Sequence, residues 1–203
     1  MMVTKSLLVG LLLTLPSLAS AQRREQRLEA GLFFTCVRLE EIGTTDHGGA
    51  GSSAGLGGRV VWRLLRYLDV DGELVVHPNA GVSGHRIQGF LGAKAGVRFS
   101  KVGLFAKVRP GFLYFSKDPF GVATPDSTFF HPQSAHSLEP ALDLGGVLEY
   151  YAPNGLVVRF DLADTIVEYN PRAVSVSQFL PPVSMAGFST RNRQWSLGVG
   201  KRF

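Results

Sequence analysis

Leu91-Gly92-Ala93-Lys94-Ala95-Gly96-Val97-Arg98-Phe99, then Ser100-Lys101, then Val102-Gly103-Leu104-Phe105-Ala106-Lys107-Val108-Arg109-Pro110-Gly111-Phe112, is the stretch that decides the fold. In its first half Leu91, Ala93, Ala95, Val97 and Phe99 alternate with Lys94, Arg98 and the glycines Gly92 and Gly96. In its second half Leu104, Ala106, Val108, Pro110 and Phe112 alternate with Lys107 and Arg109. A period of two belongs to a strand, whose successive side chains point to opposite faces. Ser100-Lys101 makes a two-residue turn that pairs Phe99 with Val102 and sets Lys94 opposite Lys107. Paired residues share a face, so this register keeps both charged rows together. Two facing lysines repel unless acids lie between them, and the adjacent strand offers Asp71 or Glu73.

The same split runs outward in both directions. Leu68, Val70, Leu74 and Val76 alternate with Asp69, Asp71 and Glu73, and Leu156, Val158, Phe160 and Leu162 alternate with Arg159 and Asp161. Eight strands are predicted, at residues 28–39, 53–64, 68–76, 87–99, 102–115, 138–150, 156–169 and 190–203. They exceed the five or six residues usual in globular sheets and suit the roughly nine to eleven that a tilted strand needs to cross a bilayer. The connections alternate between short turns (65–67, 100–101, 151–155) and long polar or Gly/Pro-rich segments (40–52, 77–86, 116–137, 170–189). Both ends of the barrel segment then fall on the short-turn side, the layout of an outer-membrane barrel. The expected fold is all-β: an eight-stranded antiparallel up-and-down transmembrane β-barrel.

A soluble barrel hides its apolar face, whereas a membrane barrel turns it outward. The polar face of strands two to seven carries Arg59, Arg63, Lys94, Arg98, Lys107, Arg109 and Arg159 against Asp69, Asp71, Glu73, Asp143, Glu149 and Asp161, a near balance that suits a shared interior network. A three-residue turn at 65–67 pairs Leu64 with Leu68, placing Arg63 opposite Asp69 and Arg59 opposite Glu73. Gly57, Gly92, Gly96, Gly111, Gly145, Gly198 and Gly200 sit among the charged positions, as a crowded eight-stranded interior requires. Trp62, Tyr67, Phe99, Tyr150 and Tyr151 gather by the short turns on the apolar face and are expected to form a membrane girdle.

Residues 1–21 read as a cleaved signal peptide: Lys5, the apolar run 6–15, then Ala19-Ser20-Ala21, leaving 22–203 as one barrel domain. Lys5 is the only charged residue in that segment, so 20 basic and 16 acidic residues remain. With one cysteine, Cys36, neither a disulfide framework nor a cysteine-rich zinc module is available. Mean hydropathy is +0.12, yet after residue 20 no uncharged apolar run approaches the roughly 20 residues of a membrane helix.

The isoelectric point of about 9.6 raises nucleic acid as a partner, but the bases are dispersed through alternating strands and form no single patch, which argues against it. Arg23, Arg24 and Arg27 read as a solvated tail or a contact for anionic headgroups. The Gly-rich run from Gly48 to Gly58 lacks the Lys-Ser/Thr ending of a phosphate loop. His47, His77, His85, His131 and His136 fall in or beside the long connections as exposed polar residues, and their spacing implies no metal site and no cofactor. His136, Ser137 and Glu139 are the candidate constellation for a lipid-modifying enzyme at the barrel rim, but 136 points away from 137 and 139. A non-enzymatic barrel is therefore expected, structural or narrowly porin-like, with a soluble lipocalin-like barrel binding an apolar ligand as the alternative.

The last strand places Trp195, Leu197, Val199 and Phe203 at every second position from the terminus, with Lys201 where an apolar residue is usual. This pattern resembles the C-terminal signature of bacterial outer-membrane proteins, and the chain from residue 22 resembles the small OmpA-like outer-membrane β-barrel domains, the barrel module alone. The resemblance implies that the last strand is an assembly signal read by the barrel-assembly machinery. It also implies a bacterial outer-membrane location, contact with outer-membrane lipid and lipopolysaccharide, a monomeric state, and long extracellular loops whose ligand is unknown.

Overall fold

The computed structural model describes residues 27–38, 52–79, 84–116, 136–174 and 183–203, with side chains for all of these but 172–185. Residues 1–26, which include the expected signal peptide, His47, His131 and much of the long connections lie outside the described residues. The strands are β1 (Leu28–Arg38), β2 (Ser52–Leu65), β3 (Leu68–His77), β4 (Arg86–Arg98), β5 (Val102–Phe115), β6 (Ser137–Tyr151), β7 (Leu156–Tyr169), β8 (Arg172–Val174), β9 (Val183–Met185) and β10 (Phe188–Arg202). Eight of them close an antiparallel barrel in the order β1-β10-β7-β6-β5-β4-β3-β2. β8 and β9 pair separately as a small hairpin within the last long connection. That hairpin was not expected, because three residues are too few to display a period of two.

Pairing fixes the shape. Followed once around from Leu28 through Trp62, Val70, Ala93, Val108, Leu144, Asp164 and Arg193, the register returns to β1 at Arg38, a stagger of ten residues. Ten residues of about 3.3 Å against eight strand spacings of about 4.8 Å give a strand tilt of about 40°, within the range of membrane barrels. The interior is narrow, and glycine is needed where a side chain would strike the neighbouring strand. A Cβ at Gly111 would lie 2.0 Å from the Gly89 carbonyl oxygen, and one at Gly96 would lie 2.1 Å from that of Leu104.

The apolar row faces out. Leu32 is 72% exposed, Leu91 64% and Leu162 57%, whereas the interleaved Lys94, Arg109 and Arg159 are each 0% exposed. This is the inverse of a soluble barrel, and it overturns the lipocalin-like alternative, which needs the Leu/Val/Phe face inside. The outer apolar belt runs through Leu138 on β6, whereas the outer face of β7 and β10 carries an exposed ion pair, Asp164 with Arg191 at 3.7 Å.

The turns repeat the expected parity with one correction. Ser100-Lys101 closes as predicted, with the Phe99 amide donating to the Val102 carbonyl at 2.7 Å. At the first turn Leu65, not Leu64, pairs with Leu68, and a register shift between Arg63 and Leu65 restores Arg63 opposite Asp69. The chain tightens to a two-residue turn, which matches strand twist better than three residues do, and a bulge absorbs the odd residue. The third turn is Pro153–Gly155, with Asn154 (φ 64°) and Gly155 (φ 77°) left-handed, conformations that Asn and Gly tolerate best.

Candidate functional site: the charged lumen

In the half of the lumen nearer the short turns, inward positions of all eight strands converge on one ionic network. Arg109 on β5 donates from Nε and Nη2 to Asp143 Oδ2 (2.9 and 2.7 Å) and from Nη1 to Glu73 Oε2 (2.7 Å), and lies 3.4 Å from Asp71. Arg159 on β7 donates to Asp161 Oδ1 and Oδ2 (2.7 and 2.9 Å) and to Asp71 Oδ2 (2.6 Å). β3 and β7 stand opposite each other in the barrel order, so the Arg159–Asp71 contact spans the lumen. The planar guanidinium makes this possible, because its fork of donors serves two carboxylates at once.

The two facing lysines resolve their repulsion by leaning apart. Lys107 reaches Asp143 (3.1 Å) and Asp161 (3.2 Å), while Lys94 takes Glu149 and lies 3.5 Å from Asp69. Asp71 or Glu73 was expected to separate them. The arginines claim those acids instead, since their longer, forked side chains reach across the barrel. Arg59, although paired in register with Glu73, lies nearest Asp161 (3.5 Å) and Glu29 (3.9 Å).

Arg63 departs from expectation. It stands opposite Asp69 in register, but Asp69 is held by Arg98 and Lys94. Among the described residues Arg63 makes no side-chain hydrogen bond or ion pair, and its buried Nε is unpartnered. The cause is position: at the lumen mouth its side chain is only half-buried, and Arg98 arrives at Asp69 from the next strand.

Two network members were missed. Glu29 on β1 and Arg202 on β10 meet at 3.1 Å across the closing seam, and Arg202 also reaches Glu149 at 3.1 Å. Both follow the alternation of their strands, a signal available in the sequence had the polar tally included the first and last strands. Tyr151, expected in the girdle, points inward: its hydroxyl donates to Glu149 at 2.8 Å and its ring lies 4.1 Å from the Arg202 guanidinium. Adjacent strand residues cannot share a face, so with Tyr150 outward Tyr151 must turn in. Trp62, Tyr67, Phe99 and Tyr150 are exposed on the outer surface, as are Trp195, Leu197, Val199 and Phe203.

The long-loop half of the lumen is different. Phe90, Leu113, Phe115, Ala141, Val167 and Tyr169 form a buried cluster with Phe188 against it. Neutral polar groups border it: Gln88 donates to Gln194 (3.2 Å), and the hydroxyl of Thr165 to the same oxygen (3.3 Å). His77, expected as an exposed residue, is buried with Nδ1 3.2 Å from the Ser53 hydroxyl, because β3 runs one residue further than predicted and turns it inward. Arg86 is also fully buried, and among the described residues none of its three guanidinium nitrogens has a hydrogen-bond partner.

The rim constellation does not assemble. Ser137 faces inward and donates to Glu139, while the His136 ring lies 6.0 Å from that of Tyr114, an outward position of β5. No group of three metal-ligating side chains is found among the described residues.

No protein-family model matches the chain, and no curated protein matches its sequence. Similarity appears in three dimensions. The crystal structure of Ail, the attachment invasion locus protein of Yersinia pestis, aligns over 89% of this chain and 100% of its own, at 15% identity and a TM-score of 0.50. Ail in complex with the heparin analogue sucrose octasulfate aligns over 87% and 99%, at 15% identity and a TM-score of 0.51. The N-terminal β-barrel domain of Pseudomonas aeruginosa OprF covers 86% of this chain and 97% of its own at 14% identity and a TM-score of 0.49. Closure and strand order give this chain an eight-stranded antiparallel up-and-down β-barrel with an apolar exterior around a charged interior, a fold it shares with Ail.

Proposed function

We propose that the chain is an integral outer-membrane protein of a bacterium whose barrel is a sealed, non-enzymatic anchor and whose long connections are the working surface. One observation carries this reading: the apolar face is outside and the charged face is inside, with Lys94, Arg109, Asp143, Glu149 and Arg159 at 0% exposure. Leu, Val, Phe and Trp on the exterior suit lipid, and closure of β1 on β10 leaves no sheet edge for lipid to satisfy. The complete burial of these charged side chains supports a closed lumen.

In the same reading residues 1–21 direct export and are removed, and 22–203 form the domain. Trp62, Tyr67, Phe99 and Tyr150 lie at the inner interface, and the Trp195, Leu197, Val199 and Phe203 row presents the last strand to the assembly machinery. The barrel works as a monomer, because its edges are already paired. Outer-membrane lipid and lipopolysaccharide surround it.

Gel migration before and after boiling tests the reading. The membrane-extracted protein is expected to run as a compact fast band that requires detergent and slows on boiling. A protein that stays folded, soluble and monodisperse without detergent would overturn it.

A further inference from the structure

At the short-turn end, between the first and second turns, lies a cavity of about 750 Å³. Two chemistries meet in its wall. Arg63, Arg66 and Arg98, with Arg27 beside them, supply cationic groups, and Leu64, Leu65, Val97 and Phe99 supply apolar ones. The apolar set belongs to the outer surface: Leu65 and Phe99 are 63% and 65% exposed and continue the lipid-facing rows of β2 and β4. The cationic set belongs to the lumen mouth and the first turn. The cavity therefore straddles the barrel rim at the level of Tyr67, open to the membrane on one side and to the lumen mouth on the other.

Among the described residues, Arg63, Arg66 and Arg98 have one carboxylate between them, that of Asp69. Arg98 holds Asp69 and donates to the Arg66 carbonyl at 2.9 Å, and Asp69 is shared with Lys94. Arg66 lies 5.3 Å over the Tyr67 ring, a contact that positions a cation and neutralises nothing. Arg63 has no acid of its own among the described residues and carries an unpartnered buried Nε. Elsewhere in the lumen each fully buried base of the ionic network has a carboxylate within 4 Å, as the low dielectric demands. Two half-buried arginines, Arg63 and Arg98, and the exposed Arg66 converging on one cavity with Asp69 the one acid among them in the described residues are instead the arrangement that recognises an external anion, since guanidinium groups bind phosphate through paired donors.

Resting on the membrane-barrel reading above, we infer that this cavity binds the headgroup of an anionic phospholipid from the leaflet at the short-turn side. Arg63 and Arg66 engage its phosphate, while the acyl chains run along Leu64, Val97 and Phe99. The apolar wall selects lipid over free phosphate, which would leave that wall facing water. The height of the site, at the ring of outward aromatics beside the short turns, matches the depth at which headgroups end and hydrocarbon begins.

The full chain, folded in detergent, is exchanged into bilayer discs of mixed phosphatidylcholine and phosphatidylglycerol, and the lipids retained after mild release are counted by native mass spectrometry. The wild type is expected to retain phosphatidylglycerol in preference to phosphatidylcholine. The double variant Arg63→Gln/Arg66→Gln is expected to lose that preference by about tenfold, the scale of one or two charge-assisted contacts. Lys201→Gln removes an exposed outward base from the opposite side of the barrel at the same end and should retain the wild-type preference. Arg66→Gln alone, a turn position outside the strands, supplies a partial loss should the double variant fold poorly. Equal retention by the double variant, an equal loss in Lys201→Gln, or displacement of the lipid by inorganic phosphate would each overturn the inference. A wild type that shows no detergent-dependent, heat-modifiable band fails the membrane reading itself, and a folded barrel without lipid preference fails this inference alone.

Discussion

The two halves of the lumen solve the same packing problem with different chemistry. Toward the short turns, opposite walls are tied by ions: Arg159 joins Asp71 on the far side to Asp161 on its own strand, and Arg109 joins Glu73 to Asp143. Toward the long connections, Phe90, Leu113, Phe115 and Val167 fill the space as an ordinary apolar core would, and there the Arg86 side chain has no hydrogen bond among the described residues. A buried charge is tolerable where every neighbour is a partner and costly where none is. The ionic half should therefore respond to mutation through its connectivity, and the apolar half through its volume.

Arg159→Ala should produce the largest effect in either half. It leaves Asp71 and Asp161 short of their principal partner in the least hydrated part of the barrel, and a loss of about 3–5 kcal/mol is expected, read from denaturant unfolding in detergent micelles. A loss no greater than that of a surface substitution would show that the network is not what ties the walls. Leu113→Ala, in the apolar half, should cost about 2–3 kcal/mol by opening a cavity that the rigid barrel wall cannot collapse around. If it costs nothing, the long-loop half is not packed as described.

Arg86→Gln sharpens the contrast because its sign is reversed. Removing an unpartnered buried charge should leave the barrel as stable or raise its stability by about 1 kcal/mol. A strong destabilisation would reveal a carboxylate partner for Arg86. The smallest effect is expected from Arg63→Ala, at most about 0.5 kcal/mol, since Asp69 keeps Arg98 and Lys94. That outcome separates the cavity arginine from the network arginines by a simple melting comparison.

Most of this architecture is legible in the alternation of single residues. Lys94, Arg98, Lys107 and Arg109 share a face because a period of two allows nothing else, and counting the residues of the second turn set Lys94 against Lys107. Partner choice was a different matter. Which acid meets which base depends on the ten-residue stagger and on closure of β1 with β10, and these bring Asp71 to Arg159 across a separation of 88 residues. No local count reveals a contact across a diameter. The first turn differs from its expected register by one residue because a bulge hides at the pair Leu64-Leu65 between Arg63 and Arg66, where the two leucines look interchangeable. Tyr151 was misplaced although parity alone would have turned it inward, and Glu29 and Arg202 were passed over at the two strands whose pairing closes the ring.

The central claim is that the charged lumen is sealed by its own ion pairs, and conductance across a planar bilayer tests it most directly. Wild-type protein inserted in concentrated KCl should show no resolved open steps, whereas Arg159→Ala, having lost the tie between β7 and β3, should open intermittently. Stable, frequent openings of the wild-type barrel would contradict the account.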